Sequence, residues 1–137
     1  MHKITVPAKI ENLQKVFNFV NTQLNSVAYN MKSRLQLELS IEEAYVNISK
    51  YAYESDEGKV EILSCVDQDP LQITVKFMDS GIPYNPLKNE DPDICTDTEE
   101  KELGGLGIFL IKKNVDKIGY EYLNGKNILT IQKKLAD

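Results

Sequence analysis

The sequence has 137 residues, of which 42% are apolar and 27% charged, a balance that is ordinary for a globular domain. A chain of this length can bury its own core, so we expect one domain over residues 1–137. Its 21 acidic and 16 basic residues give a net charge of -5. This balance disfavours direct nucleic-acid binding, because phosphate contacts need clustered lysine and arginine.

The two cysteines and the hydropathy pattern bear on where the protein works. Cys65 and Cys95 are far apart and lack the spacing of a zinc site. No apolar run approaches the roughly 20 residues that a membrane span needs, and the polar start over residues 1–7 is unlike a signal peptide. We therefore expect a cytoplasmic protein with two free thiols and no membrane contact.

The first half of the chain reads as a strand, two helices and a hairpin. Residues 2–7 alternate like an edge strand, and apolar residues at helical spacing predict helices over 10–29 and 33–53. Two further strands are predicted at 59–66 and 71–78, and the second alternates strictly between apolar and polar residues. A short polar turn between them predicts a hairpin.

The second half begins with an irregular stretch over residues 79–107. A loop of this length in a compact domain is often a lid or a binding loop. A helix over 108–115 follows, and then two strands, 117–123 and 127–135, around an Asn-Gly pair that is a strong hairpin signal. This order predicts an α+β fold: a two-layer α/β sandwich with a mixed, mostly antiparallel sheet and helices on one face.

The second helix carries Glu43, Asn47 and Lys50 on the face opposite its apolar stripe. A solvated polar face is the simplest interpretation. Asparagine, however, is a poor residue for a helix interior, because its side chain competes for backbone hydrogen bonds. A carboxylate, an amide and an amine about one turn apart would supply an acid or base, a neutral oxygen ligand and a cation for phosphate.

The stretch Asp79-Ser80-Gly81-Ile82-Pro83 follows directly on the strictly alternating strand. These are turn residues, so a turn that ends the strand would explain them. Alternatively, the carboxylate of Asp79 points into a pocket and accepts a hydrogen bond from an exocyclic amine such as that of adenine. Gly81 would then let the backbone approach a flat ring closely.

Gly104-Gly105-Leu106-Gly107 precedes an apolar helical run. A flexible hinge before a helix would account for it. The functional interpretation is a phosphate-binding element, because glycines let backbone N–H groups converge and a helix N-terminus favours anions. The segment lacks the Gly-Lys-Ser/Thr of a P-loop and the spacing of a dinucleotide fingerprint.

Together the three motifs resemble the GHKL ATPase superfamily, and more closely its anti-sigma-factor serine/threonine protein kinase branch. The helix Ile41–Tyr53 is similar to the asparagine box, residues 79–83 to the first glycine box, and Gly104–Ile111 to the second. Pro83 replaces a glycine of the wider superfamily, as it does in the anti-sigma branch. The resemblance covers roughly residues 10–135 and implies the Bergerat ATPase fold.

The resemblance implies a role for each matched position. Glu43 would be the catalytic general base, Asn47 would coordinate Mg²⁺ between the phosphates of ATP, and Asp79 would bind adenine with help from Thr130. Residues 88–103 would form the lid. The other positions matched to nucleotide binding are Lys50, Gly81, Pro83, Gly104, Gly105, Leu106 and Gly107.

The activity that the resemblance implies is that of a partner-switching kinase. It would bind ATP and Mg²⁺, sequester a sigma factor and phosphorylate a serine of a STAS-domain anti-anti-sigma protein, as a homodimer formed around residues 4–20. A non-catalytic partner-binding module of the same fold is the main alternative. The ATPase half of a histidine kinase is disfavoured, because the only histidine is His2; a purely structural domain is the remaining alternative.

Overall fold

The computed structural model describes residues 1–53, 58–88 and 106–136. Its elements in chain order are β1 (His2–Pro7), a 3-10 turn (Ile10–Asn12), α1 (Leu13–Leu24), α2 (Met31–Tyr51), β2 (Lys59–Gln68), β3 (Leu71–Asp79), a second 3-10 turn (Pro86–Lys88), α3 (Leu106–Asn114), β4 (Lys117–Leu123) and β5 (Lys126–Lys134). This is the predicted order of helices and strands. Most of the predicted lid lies outside the described residues.

The five strands form one sheet in the order β1-β2-β3-β5-β4, and every described pair is antiparallel. Alternation along β3 places Val75 and Phe77 on one face, where both are fully buried. The register pairs Val75 with Ile131 and Phe77 with Ile62, so apolar residues of neighbouring strands line the same face. The predicted α+β fold is confirmed, and its pairing is antiparallel throughout the described strands.

The helices pack on that apolar face and share one core with it. Removing a large aliphatic side chain from water contributes about 1.5–3 kcal/mol, so this shared cluster holds the two layers together. The fully or almost fully buried residues that α1 and α2 contribute are Val16, Val20, Leu24, Leu37, Ile41, Ala44 and Tyr45.

The boundary between the first two helices differs from the prediction. α1 ends at Leu24 rather than near residue 29, and α2 begins earlier than predicted. The start of α2 is set by Asn30, whose side chain accepts a hydrogen bond from Ser33 N at 2.8 Å and so caps the helix. Between the helices, Val27 N donates to Leu24 O at 3.2 Å, and Asn30 N donates to Leu135 O at 2.7 Å, which ties this connection to the end of the last strand.

The two hairpins have tight turns. Asn124 and Gly125 have φ of 53° and 78°, the positive values that a type I′ turn requires, and this confirms the predicted turn between β4 and β5. Between β2 and β3 only Asp69 and Pro70 form the turn, so both strands are longer than predicted.

Cys65 on β2 is half-buried and is a free thiol, whereas Cys95 lies outside the described residues. Over the ranges given above, no helix is both long enough and apolar enough to cross a membrane.

Candidate functional site

A cavity lies where the C-terminal half of α2, the end of β3 and the start of β5 meet. It encloses about 480 Å³ when the space at its open mouth is included. Its walls are mainly apolar and aromatic with a few polar groups. They include Asn47, Ile48, Asp79, Tyr120, Asn127 and Leu129. The structure thus brings together Asn47 and Asp79, which belong to two separate sequence motifs.

Asp79 is the last residue of β3 and is only 6% exposed. Its Oδ1 atom accepts hydrogen bonds from Gly81 N at 2.9 Å and from Asn127 Nδ2 at 3.0 Å. Both of these bonds fall on one carboxylate oxygen. The Oδ2 atom accepts neither of them and remains an acceptor in a largely apolar cavity.

Asn127 continues the family pattern along the sequence, but the sequence motifs assigned it no role in the site. It lies opposite Asp79 in the β3–β5 register and is 7% exposed. The signal that would have found it is the period of two along β5, because Asn127 shares the alternation of the buried Leu129 and Ile131. A polar residue on the apolar face of a strand needs a partner, and here that partner is the carboxylate.

The same period of two corrects the prediction for Thr130. Thr130 pairs with Lys76 and Gly119, on the face of the sheet opposite to that of Asp79 and the helices. It is not among the described residues that line the cavity. Asn127, not Thr130, is the β5 side chain in contact with Asp79.

The turn after Asp79 is packed directly on the end of α2. Ile82 N donates to Ala52 O at 3.0 Å. A Cβ atom on Gly81 would lie 2.0 Å from that same carbonyl oxygen, so only glycine allows this approach. Tyr53 adds a second tie, because its hydroxyl accepts from Ser80 N at 2.8 Å and donates to Lys59 O at 2.6 Å. The turn therefore joins the helix that carries Asn47 to the strand that ends at Asp79.

Glu43 lies one turn before Asn47 and faces the start of α3. A Cβ atom on Gly107 would lie 2.9 Å from Glu43 Oε2. Burial raises the pKa of Glu43, the neighbouring charge of Glu42 raises it further, and the charge of Lys50 opposes both. A half-buried carboxylate whose pKa is displaced towards neutrality is a group that can exchange a proton.

Tyr120 on β4 donates its hydroxyl hydrogen to Asn127 Oδ1. Burial raises the pKa of Tyr120, and the negative charge of Asp79 adds to this increase. The hydroxyl therefore stays protonated at neutral pH and remains a donor to the amide.

The remaining predicted positions lie at the edge of this arrangement or beyond it. The side chains of Lys50 and Pro83 are exposed, and neither residue lines the cavity within the described part of the chain. Leu106 begins α3, but Gly104 and Gly105 lie outside the described residues.

Residues 6–133 match the family described as histidine kinase-like ATPase domain, and the chain belongs to that family. Among characterised relatives it is similar to the serine-protein kinase RsbW of Listeria monocytogenes. The identity is 26% over 135 residues, which cover 94% of this chain and 86% of the relative. RsbW of Listeria innocua is 25% identical over a stretch of the same length.

Solved structures show the same fold. The RsbU and RsbW domains of Rv1364c from Mycobacterium tuberculosis superpose with a TM-score of 0.66 at 13% identity, over 98% of this chain and 33% of that one. The chain thus spans about a third of the length of that solved chain. The catalytic domain of the histidine kinase ThkA superposes with a TM-score of 0.57 at 14% identity, over 99% of both chains.

Proposed function

We propose that the protein is an ATP-binding anti-sigma regulatory factor with serine/threonine protein kinase activity, which sequesters a sigma factor and phosphorylates a STAS-domain anti-anti-sigma partner. The observation that carries this proposal is the meeting of Asn47 and Asp79 on one cavity, with Glu43 one helical turn from Asn47. The similarity to RsbW serine-protein kinases over most of the chain supports a serine as the acceptor.

The cavity around Asp79 has the chemistry of an adenine site. A carboxylate oxygen accepts hydrogen bonds only, and the exocyclic amine of adenine donates them. The apolar side chains of Ile48 and Leu129 would contact the faces of the base, as apolar walls do in most small-molecule sites. The base would thereby be fixed in orientation, with the phosphates directed towards the start of α3.

Asn47 fits a magnesium ion that is shared with phosphates. Mg²⁺ usually keeps several waters and takes one or two protein oxygens together with phosphate oxygens, so a single amide oxygen suits it. When bound, the ion neutralises phosphate charge. The N-terminus of α3 favours anions, and we expect backbone N–H groups of Gly104, Gly105, Leu106 and Gly107 to contact the phosphates, with Lys50 as an additional cation.

Glu43 is the residue that we assign to proton transfer. As the serine oxygen forms its bond to the γ-phosphorus and the bond to the β-phosphate bridging oxygen breaks, the carboxylate takes the serine proton and ADP leaves. A general base typically contributes about 10²–10⁴-fold, and positioning supplies much of the remainder. We expect the partner to approach from the side of α3.

The test is phosphate transfer to a purified STAS-domain protein in the presence of ATP and Mg²⁺, measured as a gain in intact mass. Glu43→Gln is compared with Glu42→Gln, a substitution at the exposed neighbouring glutamate. We expect the wild type and Glu42→Gln to add one phosphate, and Glu43→Gln to be slower by about 100-fold or more while it still binds ADP.

Two results would contradict the proposal in different ways. Phosphate transfer by Glu43→Gln at the wild-type rate would contradict the role of Glu43 as the general base, but kinase activity itself would stand. Binding of ADP without any transfer by the wild type would indicate the alternative, a non-catalytic module that only holds its partner. Sedimentation of the protein alone tests the homodimer that the family resemblance implies around residues 4–20.

A further inference from the structure

The side-chain amide of Asn127 is the point at which the hydrogen bonds of the cavity meet. Its Nδ2 atom donates to Asp79 Oδ1 at 3.0 Å and to Ile82 O at 3.0 Å. Its Oδ1 atom accepts from Tyr84 N at 3.1 Å and from the hydroxyl of Tyr120. Both donor hydrogens and both acceptor positions of the amide are therefore used inside the protein.

This pattern allows only one orientation of the amide. A carboxylate and a carbonyl oxygen can only accept, and a backbone N–H can only donate. Rotating the amide by half a turn would set its oxygen against Asp79 and its NH₂ group against Tyr84 N. Because Asn127 is 7% exposed, water cannot compensate for such mismatches, and the amide stays fixed.

We propose that Asn127 is a positioning residue that makes the cavity selective for a 6-aminopurine, by holding Asp79 Oδ1 and leaving Oδ2 as the acceptor for the ligand. This inference rests on the proposed nucleotide binding. It goes beyond it by assigning the discrimination between bases to a residue on β5 that makes no bond to the base itself.

The selectivity follows from what each group can donate. With Oδ1 engaged by Asn127 and Gly81, the oxygen left for the ligand can accept from the amine of adenine but repels the 6-oxo group of hypoxanthine. The amide also ties the turn over residues 81–84 to β5. Without it, the carboxylate can rotate and the turn can relax, so a 6-oxo purine is rejected less strongly.

The experiment is calorimetric titration of the full chain with ADP and with inosine diphosphate (IDP), whose base is hypoxanthine, both in the presence of Mg²⁺. The wild type is compared with Asn127→Leu and Tyr120→Phe. Thr130→Val is the matched control, since it lies on the same strand but on the opposite face. The measured quantity is the ratio of the two affinities. An unfolded chain binds neither nucleotide, so partial unfolding of a variant lowers both affinities equally and leaves the ratio unchanged.

We expect the wild type to bind ADP at least about tenfold more tightly than IDP. We expect Asn127→Leu to lose most of this preference, and Tyr120→Phe, which removes one donor to the amide, to reduce it by about two- to fivefold. Thr130→Val keeps the wild-type ratio.

The outcomes separate the inference from the function on which it rests. If the wild type binds neither nucleotide, both are overturned. If it binds ADP while Asn127→Leu and Tyr120→Phe keep the wild-type ratio, or if it binds ADP and IDP equally well, only the role of Asn127 is overturned. Should Asn127→Leu not fold, Tyr120→Phe decides the question alone.

Discussion

The carboxylate of Glu43 rests against Gly107, where a Cβ atom would lie 2.9 Å from Oε2. Glu43 belongs to α2 and Gly107 to the first turn of α3, so two segments that are distant in the sequence are in direct contact. Because Gly107 has no side chain, α3 can approach α2 closely at Glu43, the proposed general base. The position of Glu43 therefore depends on how α3 begins.

This contact predicts that Gly107→Ala lowers the rate of phosphate transfer without lowering the free energy of unfolding. The atom in the way is the end of a flexible side chain, which moves at low cost, and alanine is favoured over glycine in a helix by about 0.8–1.0 kcal/mol. We expect the free energy of unfolding to stay the same or rise by up to about 1 kcal/mol. Phosphate transfer should fall by about 10- to 100-fold, because the displaced carboxylate no longer meets the serine.

Gly119→Ala is the matched control, because nothing lies within 4 Å of its added Cβ atom. Urea unfolding and the transfer assay are run on both variants. A Gly107→Ala protein with normal transfer would show that Glu43 does not act from this position.

The raised pKa of Glu43 predicts a pH dependence of stability with a definite sign. Burial is the main cause, so the ionised form is less stable in the folded protein than in the unfolded chain. The favourable contribution of the neutral carboxyl is complete below the ordinary value of 4.5 and is lost as the pH rises through the folded-state pKa. At neutral pH the wild type should thus be less stable than Glu43→Gln.

Urea midpoints of the wild type and Glu43→Gln, measured from pH 4 to pH 8, check this expectation. The difference between them should grow above pH 4.5 and then become constant. Phosphate transfer should show the opposite trend and rise over the same window, since the base acts when ionised. A stability difference that does not change with pH would contradict the assignment of the shift to Glu43.

The fold could be predicted from the sequence because apolar residues recur at helical spacing along the helices and alternate along the strands. Strict alternation identified β3, and the Asn124-Gly125 pair fixed the last hairpin. The predicted end of α1 was wrong, because Val27 N bonds to Leu24 O and Asn30 N bonds to the distant Leu135 O instead of continuing the helix. Periodicity and turn residues thus predicted which elements exist, whereas the bonds formed after α1 decide where that helix stops.

For the site, the sequence motifs indicated which residues take part but not how those residues are arranged in space. Residue chemistry singled out Asn47 and Asp79, the family resemblance implied their roles, and the structure places both on one cavity. Thr130 was assigned by the same resemblance, although the alternation of β5 already placed it on the other face from Leu129. If the alternation along β5 had been given more weight than the family motif, it would have selected Asn127 instead of Thr130.

Gly81→Ala should destabilise the protein strongly, because the added methyl group would meet backbone atoms of Ala52 at 2.0 and 2.6 Å. Overpacking of this kind costs about 1–3 kcal/mol, and it would also break the hydrogen bond from Ile82 N to Ala52 O. We expect a lower urea midpoint together with weaker ADP binding, since the turn connects α2 to Asp79. A stable Gly81→Ala protein that binds ADP normally would show that this packing is dispensable.

Asn47→Ala should remove the effect of magnesium on nucleotide binding. If the amide oxygen is a ligand of an ion shared with the phosphates, its loss weakens ADP binding in Mg²⁺ by about 10- to 100-fold, the range for a hydrogen bond or ligand to a charged group. In EDTA, which removes Mg²⁺, the affinity for ADP should change little, because the contacts between adenine and Asp79 remain. Asn18→Ala, at an exposed asparagine of α1, should keep the full response to Mg²⁺. An Asn47→Ala protein that still gains affinity with Mg²⁺ as the wild type does would place the ion on other ligands.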